Sequence, residues 1–157
     1  MDALESKDGA TRQKARRSLV ALGKPAISPL IRVLENSGVD HVRREAVKAL
    51  GAIGDSRAIP AFVKALEDSD SDVVWLAAEE LRKFKKAAWL PLLRVLMKSG
   101  ADSILLRKGA HHVLRNQKEV GFNDLLATLI AALESGSIPE STNVAAYEIL
   151  KRMKVKS

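Results

Sequence analysis

The chain of 157 residues contains no cysteine, few aromatic residues and no long apolar run. Without cysteine there can be no disulfide framework, no catalytic thiolate and no zinc site built from thiolates. No apolar run reaches the length of a transmembrane helix, so we expect a cytoplasmic protein that does not contact a membrane. Aromatic residues make up 4% of the chain, so the core should consist mainly of leucine, isoleucine, valine and alanine.

Motifs that carry catalysis or bind cofactors are also missing. Gly51 and Gly54 lie at the end of a predicted helix and lack the lysine of a phosphate-binding loop. Neither a nucleophile elbow nor a His-Glu-x-x-His pattern occurs. His111 and His112 are adjacent, so on a helix they point about 100° apart and form a poor chelate. The sequence therefore predicts a protein that is not an enzyme, with no cofactor and no metal site.

A regular spacing of prolines and alanines indicates a tandem repeat. Pro29, Pro60 and Pro91 recur at intervals of 31 residues, and an alanine precedes each of them by 14 residues. A leucine follows each alanine by four positions and a large apolar residue by seven, which places all three on one helix face. The pattern continues at wider steps to Ala110 and Ala146. The positions on this face are Ala15, Leu19 and Leu22; Ala46, Leu50 and Ile53; Ala77, Leu81 and Phe84; Ala110 and Leu114; and Ala146, Leu150 and Met153.

The predicted fold is all-α, a right-handed α-solenoid of antiparallel helical hairpins, with about four hairpins and a terminal helix in a single domain over residues 1–157. Connections of only a few residues favour antiparallel packing of neighbouring helices. First helices are predicted at about 10–22, 41–53, 72–85, 103–116 and 141–154, and second helices at about 25–36, 57–68, 87–99 and 119–134.

Turn residues set the expected helix ends. Gly23 and Gly54 should end first helices at positions that need a positive φ, and Asp124 replaces proline in the first turn of a second helix. Polar residues that should cap the first helices are Asp40, Ser71, Asp102 and Ser141. Because Ala3-Leu4-Glu5 repeats Ala65-Leu66-Glu67, the chain is expected to start at the tail of a hairpin. The two ends are then either capping pieces of the array or the ends of a segment of a longer protein, and we favour the segment.

The stretch from Val42 to Asp55, with residues 57–62 and 65–68, resembles the short prokaryotic HEAT repeat, also described as phycobilisome-lyase-like. Arg12, Arg43 and Arg107 match the arginine that this family carries at the third position of the first helix, whereas Val74 and Asn143 depart from it. The resemblance implies a protein-binding scaffold. It does not by itself imply bilin chemistry.

The net charge of +7 is distributed unevenly. Turns that join first to second helices are basic in sum, and the opposite turns are acidic in sum, which predicts a basic and an acidic rim. Bases at helix C-termini and acids at N-termini explain part of this pattern without any binding role. Four like charges in one turn are explained less well, because they repel each other. This basic rim cluster consists of Arg82, Lys83, Lys85 and Lys86.

A second candidate surface lies on the second helices. Arg32 and Arg94 occupy one register position and Lys64 lies one residue beyond it; together we call them the basic row. In stacked hairpins the second helices line the concave face, which solenoids use for binding. An ordinary polar stripe opposite the core is the alternative.

The two tryptophans are expected to differ in their exposure to solvent. Trp75 shares its register with polar residues, so it should be partly exposed on the outer face, either as a binding hot spot or packed over the neighbouring hairpin. Trp89 shares its register with Ile27 and Phe122, so it should be buried.

Three classes of function remain open. The favoured one is a non-catalytic scaffold that binds an acidic protein through the basic row, the basic rim cluster or Trp75. The second is a nucleic-acid-binding module, supported by the pI of about 9.8 and the clustered charge. The third is an enzyme, either bilin lyase-like or a glycosylase of the HEAT-like kind, but the concave positions carry Arg and Lys where a glycosylase needs a carboxylate.

Overall fold

All regular structure in the computed structural model is helical over the residues that it describes, which are 1–99, 103–134 and 139–155. The predicted all-α fold is therefore confirmed. None of these helices is both long and apolar enough to span a membrane. The α-helices are α1 (Gly9–Leu22), α2 (Ile27–Asn36), α3 (Asp40–Ile53), α4 (Ile59–Ala65), α5 (Ser71–Lys83), α6 (Lys86–Ser99), α7 (Ile104–Leu114), α8 (Asn123–Glu134) and α9 (Pro139–Val155).

The chain divides into two compact units, Met1–Glu80 and Leu81–Ser157. In the first unit α3 packs against α1 and α2, and α2 also packs against α4. In the second unit α9 packs against α6 and α8, while α7 packs against α6 and α8. The handedness of the solenoid and its description as a single domain stay predictions.

The predicted register explains the core of each unit. Ala46 and Leu50 are buried in the first unit, and Leu81, Ala110 and Leu114 are buried in the second. Trp89 is also buried, as predicted, and its ring meets that of Phe122 edge to face with centroids 5.7 Å apart. Offsets of 0 and 4 along a helix thus identify the face that is removed from water.

The first repeat departs from this register. Helix α1 contains no fully buried residue: Ala15 and Leu19 are half-buried, and Leu22 is 58% exposed. The expectation that Leu22 faces the core is wrong. Among the described elements, α1 packs mainly against α3 and two short 3₁₀ turns, so one side of its apolar stripe stays accessible.

Several first helices begin at residues other than those expected. Asp40 is the first residue of α3 instead of preceding it, and its carboxylate accepts from the N–H of His41 at 2.8 Å. For α5, the side chain of Asp70 rather than that of Ser71 accepts from the N–H of Val73, at 3.0 Å. Ser141 lies within α9 and does not precede it. Asp102 lies outside the described residues, and its neighbour Ser103 caps α7.

Backbone conformation sets the connections between helices. Gly23 and Gly54 both have φ of 71° and end α1 and α3, as predicted. Helix α8 begins at Asn123, later than expected, because Asn116 and Gly121 adopt positive φ angles of 64° and 84° before it. Such left-handed residues interrupt a helix and allow the chain to turn.

Asp55 anchors the turn between α3 and α4. Its carboxylate accepts from the N–H of Arg57 at 3.0 Å and from the Arg57 guanidinium at 2.9 and 3.0 Å. The side-chain hydrogen bond to Arg57 is the main cause that lowers the pKa of Asp55 from 3.8 to about 2.

We therefore expect an NMR titration of the Asp55 carboxyl carbon to give a pKa of about 2. Because the folded-state pKa lies below the unfolded value, this contact stabilises the turn above pH 3.8 and is lost as the pH falls through about 2. Arg57→Ala should raise the pKa of Asp55 toward 3.8. An unchanged pKa in that variant would contradict the assigned cause.

Candidate partner-binding surfaces

The basic row presents exposed cations on second helices in both units. Arg32 on α2 and Lys64 on α4 lie in the first unit, and Arg94 on α6 lies in the second. Neither Arg32 nor Arg94 forms an ion pair with another described residue, whereas Lys64 lies 3.7 Å from Glu35. Two of the three cations are thus available to an external anion.

The basic rim cluster lies where α5 ends and α6 begins. Arg82 and Lys83 are in the last turn of α5, and Lys86 is the first residue of α6. Only Phe84 and Lys85 separate these helices, and Lys85 has a positive φ of 52°. The expectation that these charges stand on a turn is therefore wrong for all but Lys85, since the connection is only two residues long.

Two residues of this cluster, Lys86 and Arg82, already contact other residues of the chain. Lys86 Nζ lies 3.2 Å from Glu119 Oε1 and 4.7 Å from the centre of the Phe122 ring. The carbonyl of Arg82 accepts from Gln117 at 3.2 Å. Of the four cations, Lys85 is exposed and forms no ion pair within the described part of the chain.

Three acidic residues before and at the start of α5, Asp68, Asp70 and Asp72, are paired within the first unit. Arg43 donates to both carboxylate oxygens of Asp68 at 2.8 Å, and the two side chains are 11% and 10% exposed. Arg44 lies 2.7 Å from Asp72 and 3.9 Å from Asp70. This part of the acidic rim is therefore largely neutralised by arginines of α3.

The matching arginines of the repeats bind backbone carbonyl groups. Arg43 Nη1 donates to Ser37 O at 2.9 Å, and Arg107 Nη2 donates to Ala132 O at 3.0 Å. Arg12 Nη1 donates to Ser6 O at 2.7 Å, and Ser6 lies 31 residues before Ser37. These arginines thus connect first helices to the backbone of neighbouring segments, a role that the sequence had not revealed.

Trp75 borders an open groove of about 410 Å³ in the first unit. The residue is 57% exposed, as its register predicted. We call this cavity the Trp75 groove. Its lining side chains come from α1, α3 and α5 and are Arg12, His41, Arg44, Glu45, Lys48, Asp72, Trp75 and Leu76.

His111 meets a carboxylate that sequence reasoning had missed. Glu134 at the end of α8 places Oε1 2.8 Å from His111 Nε2. Both line a cavity of about 570 Å³ in the second unit, together with Arg107 and Lys108. Over residues 1–99, 103–134 and 139–155, no cluster of three or more His, Asp or Glu residues could hold a metal ion.

The fold and these surfaces define a helical-repeat protein that exposes charged helix faces. A family model described as HEAT repeats matches residues 27–115, more than half of the chain. The chain belongs to the HEAT-repeat family, which confirms the resemblance seen in the sequence. HEAT repeats generally mediate protein–protein interaction.

Two curated relatives are lyase subunits. The chain is 30% identical over 101 residues to phycocyanobilin lyase subunit alpha of a Nostoc species, a match that covers 60% of this chain and 37% of the relative. It is 49% identical over 51 residues to phycocyanobilin lyase subunit alpha of Microchaete diplosiphon, covering 29% and 17%. The matched regions thus span well under half of either relative.

These relatives correct the expectation that the chain is not an enzyme. Both are named lyase subunits, and lyases are enzymes. The expectation was based on missing motifs of hydrolases, metalloenzymes and nucleotide-binding enzymes. It was wrong because the absence of those motifs does not exclude other enzyme classes.

Proposed function

We propose that this chain is the protein-binding region of a lyase subunit similar to phycocyanobilin lyase subunit alpha, and that it binds an acidic protein surface. The family supports protein binding, and the named relatives support the lyase context. The acidic character of the partner is inferred from the charges that the fold leaves without counter-ions.

One observation carries the choice of partner. Arg32 and Arg94 are exposed on helices and have no ion pair within the described residues, whereas the acidic side chains beside α5 are paired with Arg43 and Arg44. Burying a cation at an interface requires a matching anion. These two arginines are therefore available to a negatively charged partner, whereas the acidic side chains beside α5 are neutralised within the chain.

The basic row fits this role better than the basic rim cluster. Arg32 and Arg94 are exposed and form no ion pair with another described residue, so a partner would not have to displace one. In the cluster, Lys86 is held by Glu119 and by the Phe122 ring. A partner would have to displace these contacts to use Lys86.

We expect charge reversal in the row to weaken binding more than reversal in the cluster. With poly-L-glutamate as the acidic probe, Arg32→Glu plus Arg94→Glu should raise the Kd at least about tenfold, since two charge-assisted contacts are lost. The matched double variant Lys85→Glu plus Lys86→Glu should raise it less than about threefold and mainly slow association. Fluorescence anisotropy titration measures both effects.

An equal or greater loss in the cluster variant would show that the wrong surface was chosen. Duplex DNA serves as the second probe in the same assay. Tighter binding to DNA than to poly-L-glutamate, with a log–log salt slope of about −0.9 per phosphate contact, would instead favour the nucleic-acid alternative.

A further inference from the structure

We propose that the Trp75 groove is a separate site for an acidic peptide segment of a partner, with one carboxylate side chain beside Arg12 and a neighbouring apolar side chain against the Trp75 indole. This site goes beyond the proposed function, because it lies among first helices and shares no residue with the basic row or the basic rim cluster.

Arg12 is a partly buried cation that attracts the carboxylate of Asp8 but forms no short ion pair within the described residues. Its Nη1 donates to the carbonyl oxygens of Ser6 and Lys7 at 2.7 and 2.9 Å, and its buried Nε has no hydrogen-bond partner. No carboxylate of the described residues forms an ion pair with it. A guanidinium binds best to a carboxylate, which accepts two parallel hydrogen bonds.

Comparison with the next repeat explains why Arg12 lacks a carboxylate. Arg43 has the same register position and binds Asp68 through Nε and Nη2. The residue 31 positions before Asp68 is Ser37, which carries no charge. The first repeat thus keeps the arginine but has lost the acid, so the Nε that Arg43 uses for Asp68 is unoccupied in Arg12.

The other charges of the groove are compensated. Arg44 lies 3.4 Å from Asp40 and 2.7 Å from Asp72. Glu45 is 2.6 Å from Arg16 and 3.5 Å from Lys48.

The groove is lined by three cations, from Arg12, Arg44 and Lys48, and by the carboxylates of Glu45 and Asp72. Arg44, Glu45 and Lys48 already form ion pairs, so Arg12 is the cation of the groove that remains for a single external carboxylate. A phosphate ester carries between 1.5 and 2 negative charges, roughly, at neutral pH, and the two carboxylates of the groove would repel it. This balance favours an acidic side chain over a phosphopeptide or a nucleic-acid backbone.

The remaining surface of the groove is partly apolar, which is why we propose an apolar peptide side chain next to the carboxylate. Trp75 is 57% exposed and Leu76 is half-buried, so a peptide side chain placed there would remove apolar area from water. His41 adds a buried Nε2 that has no partner. The volume of about 410 Å³ lies within the range of about 300–1,000 Å³ that ligand sites occupy.

The test is an NMR titration of the full ¹⁵N-labelled chain with the capped peptide acetyl-Ala-Glu-Leu-Ala-amide. We expect saturable shifts of the Trp75 indole N–H and of the amides of Arg12 and His41. The same peptide with glutamine in place of glutamate should bind about tenfold more weakly, as the loss of one charge-assisted hydrogen bond predicts. Absence of saturable shifts at ~10 mM peptide, a few-fold above the millimolar Kd expected of so small a contact, would overturn the proposal.

Variants locate the site. Arg12→Gln should weaken peptide binding about tenfold, whereas Arg17→Gln, an exposed arginine on the same helix outside the groove, should leave it unchanged. Since Arg12 also holds two carbonyl groups, Trp75→Ala serves as a second variant that alters an exposed side chain and should also weaken binding. Circular dichroism verifies that each variant is folded.

Three results would overturn the assignment: equal binding of the glutamine peptide, tighter binding of a phosphoserine peptide, or competition by oligothymidylate. The variants Arg32→Glu plus Arg94→Glu should retain peptide binding. Failure of the proposed function and failure of this site are therefore distinguishable, because each is tested by variants that leave the other surface intact.

Discussion

Leu50→Asp should unfold the first unit. Leu50 is 1% exposed in α3 and belongs to the largest fully buried side chains. An aspartate there has no described cation as a partner, and an unpaired buried charge costs more than about 4 kcal/mol. That cost is comparable with the whole stability of a small domain, about 5–15 kcal/mol. Urea unfolding followed by circular dichroism should show a reduced helical signal before denaturant is added.

The matched control is Ala52→Asp, which adds the same charge at an exposed position of the same helix. Ala52→Asp should lower the free energy of unfolding by about 1 kcal/mol or less, mainly because a carboxylate is unfavourable near a helix C-terminus. Leu50→Ala should lower it by about 2–5 kcal/mol, which lies between the effects of the two aspartate variants. If Leu50→Asp left a cooperative transition with an unchanged midpoint, the assigned register would be incorrect.

Arg43→Ala should produce the second-largest loss of stability, about 3 kcal/mol. It removes the guanidinium that binds Asp68 through two hydrogen bonds and the carbonyl of Ser37 through a third. Asp68 is 10% exposed, so its carboxylate would remain largely buried without its partner. The change in the free energy of unfolding, measured by urea titration, tests this expectation.

Arg44→Ala is the control, because it makes the same change at the adjacent residue. Its closest carboxylate, that of Asp72, is 65% exposed, so the loss should stay below about 1 kcal/mol. Arg43→Met combined with Asp68→Leu should recover part of the stability lost by Arg43→Ala, since no buried charge then remains unpaired. Equal losses for Arg43→Ala and Arg44→Ala would contradict the distinction between the buried and exposed pairs.

The local sequence pattern was sufficient to predict the helices and many of the buried residues. The 31-residue spacing and the offsets within each helix identified Ala46, Leu50 and Leu81 as buried. Glycine at positions 23 and 54 correctly predicted the ends of α1 and α3. These features follow from helix geometry, which depends only on residues a few positions apart.

The candidate surfaces could be predicted only in part. The exposure of Trp75 followed from its register, but the groove beside it requires Arg12 on α1 and His41 on α3 to approach α5. Gly51 belongs to the stretch that resembles the HEAT repeat, yet only the structure shows that a side chain there would overlap Glu80.

The sequence by itself determined the repeat, the family and the buried helix faces, because periodic burial is encoded in residues that are neighbours along the chain. Only the tertiary structure decided which charges are neutralised. Arg43 pairs with Asp68 and Lys86 with Glu119, residues 25 and 33 positions apart, while Arg12 forms no ion pair within the described residues. Ion pairs act over a few ångströms in space, so their partners are set by the packing of helices and not by the periodicity of the chain.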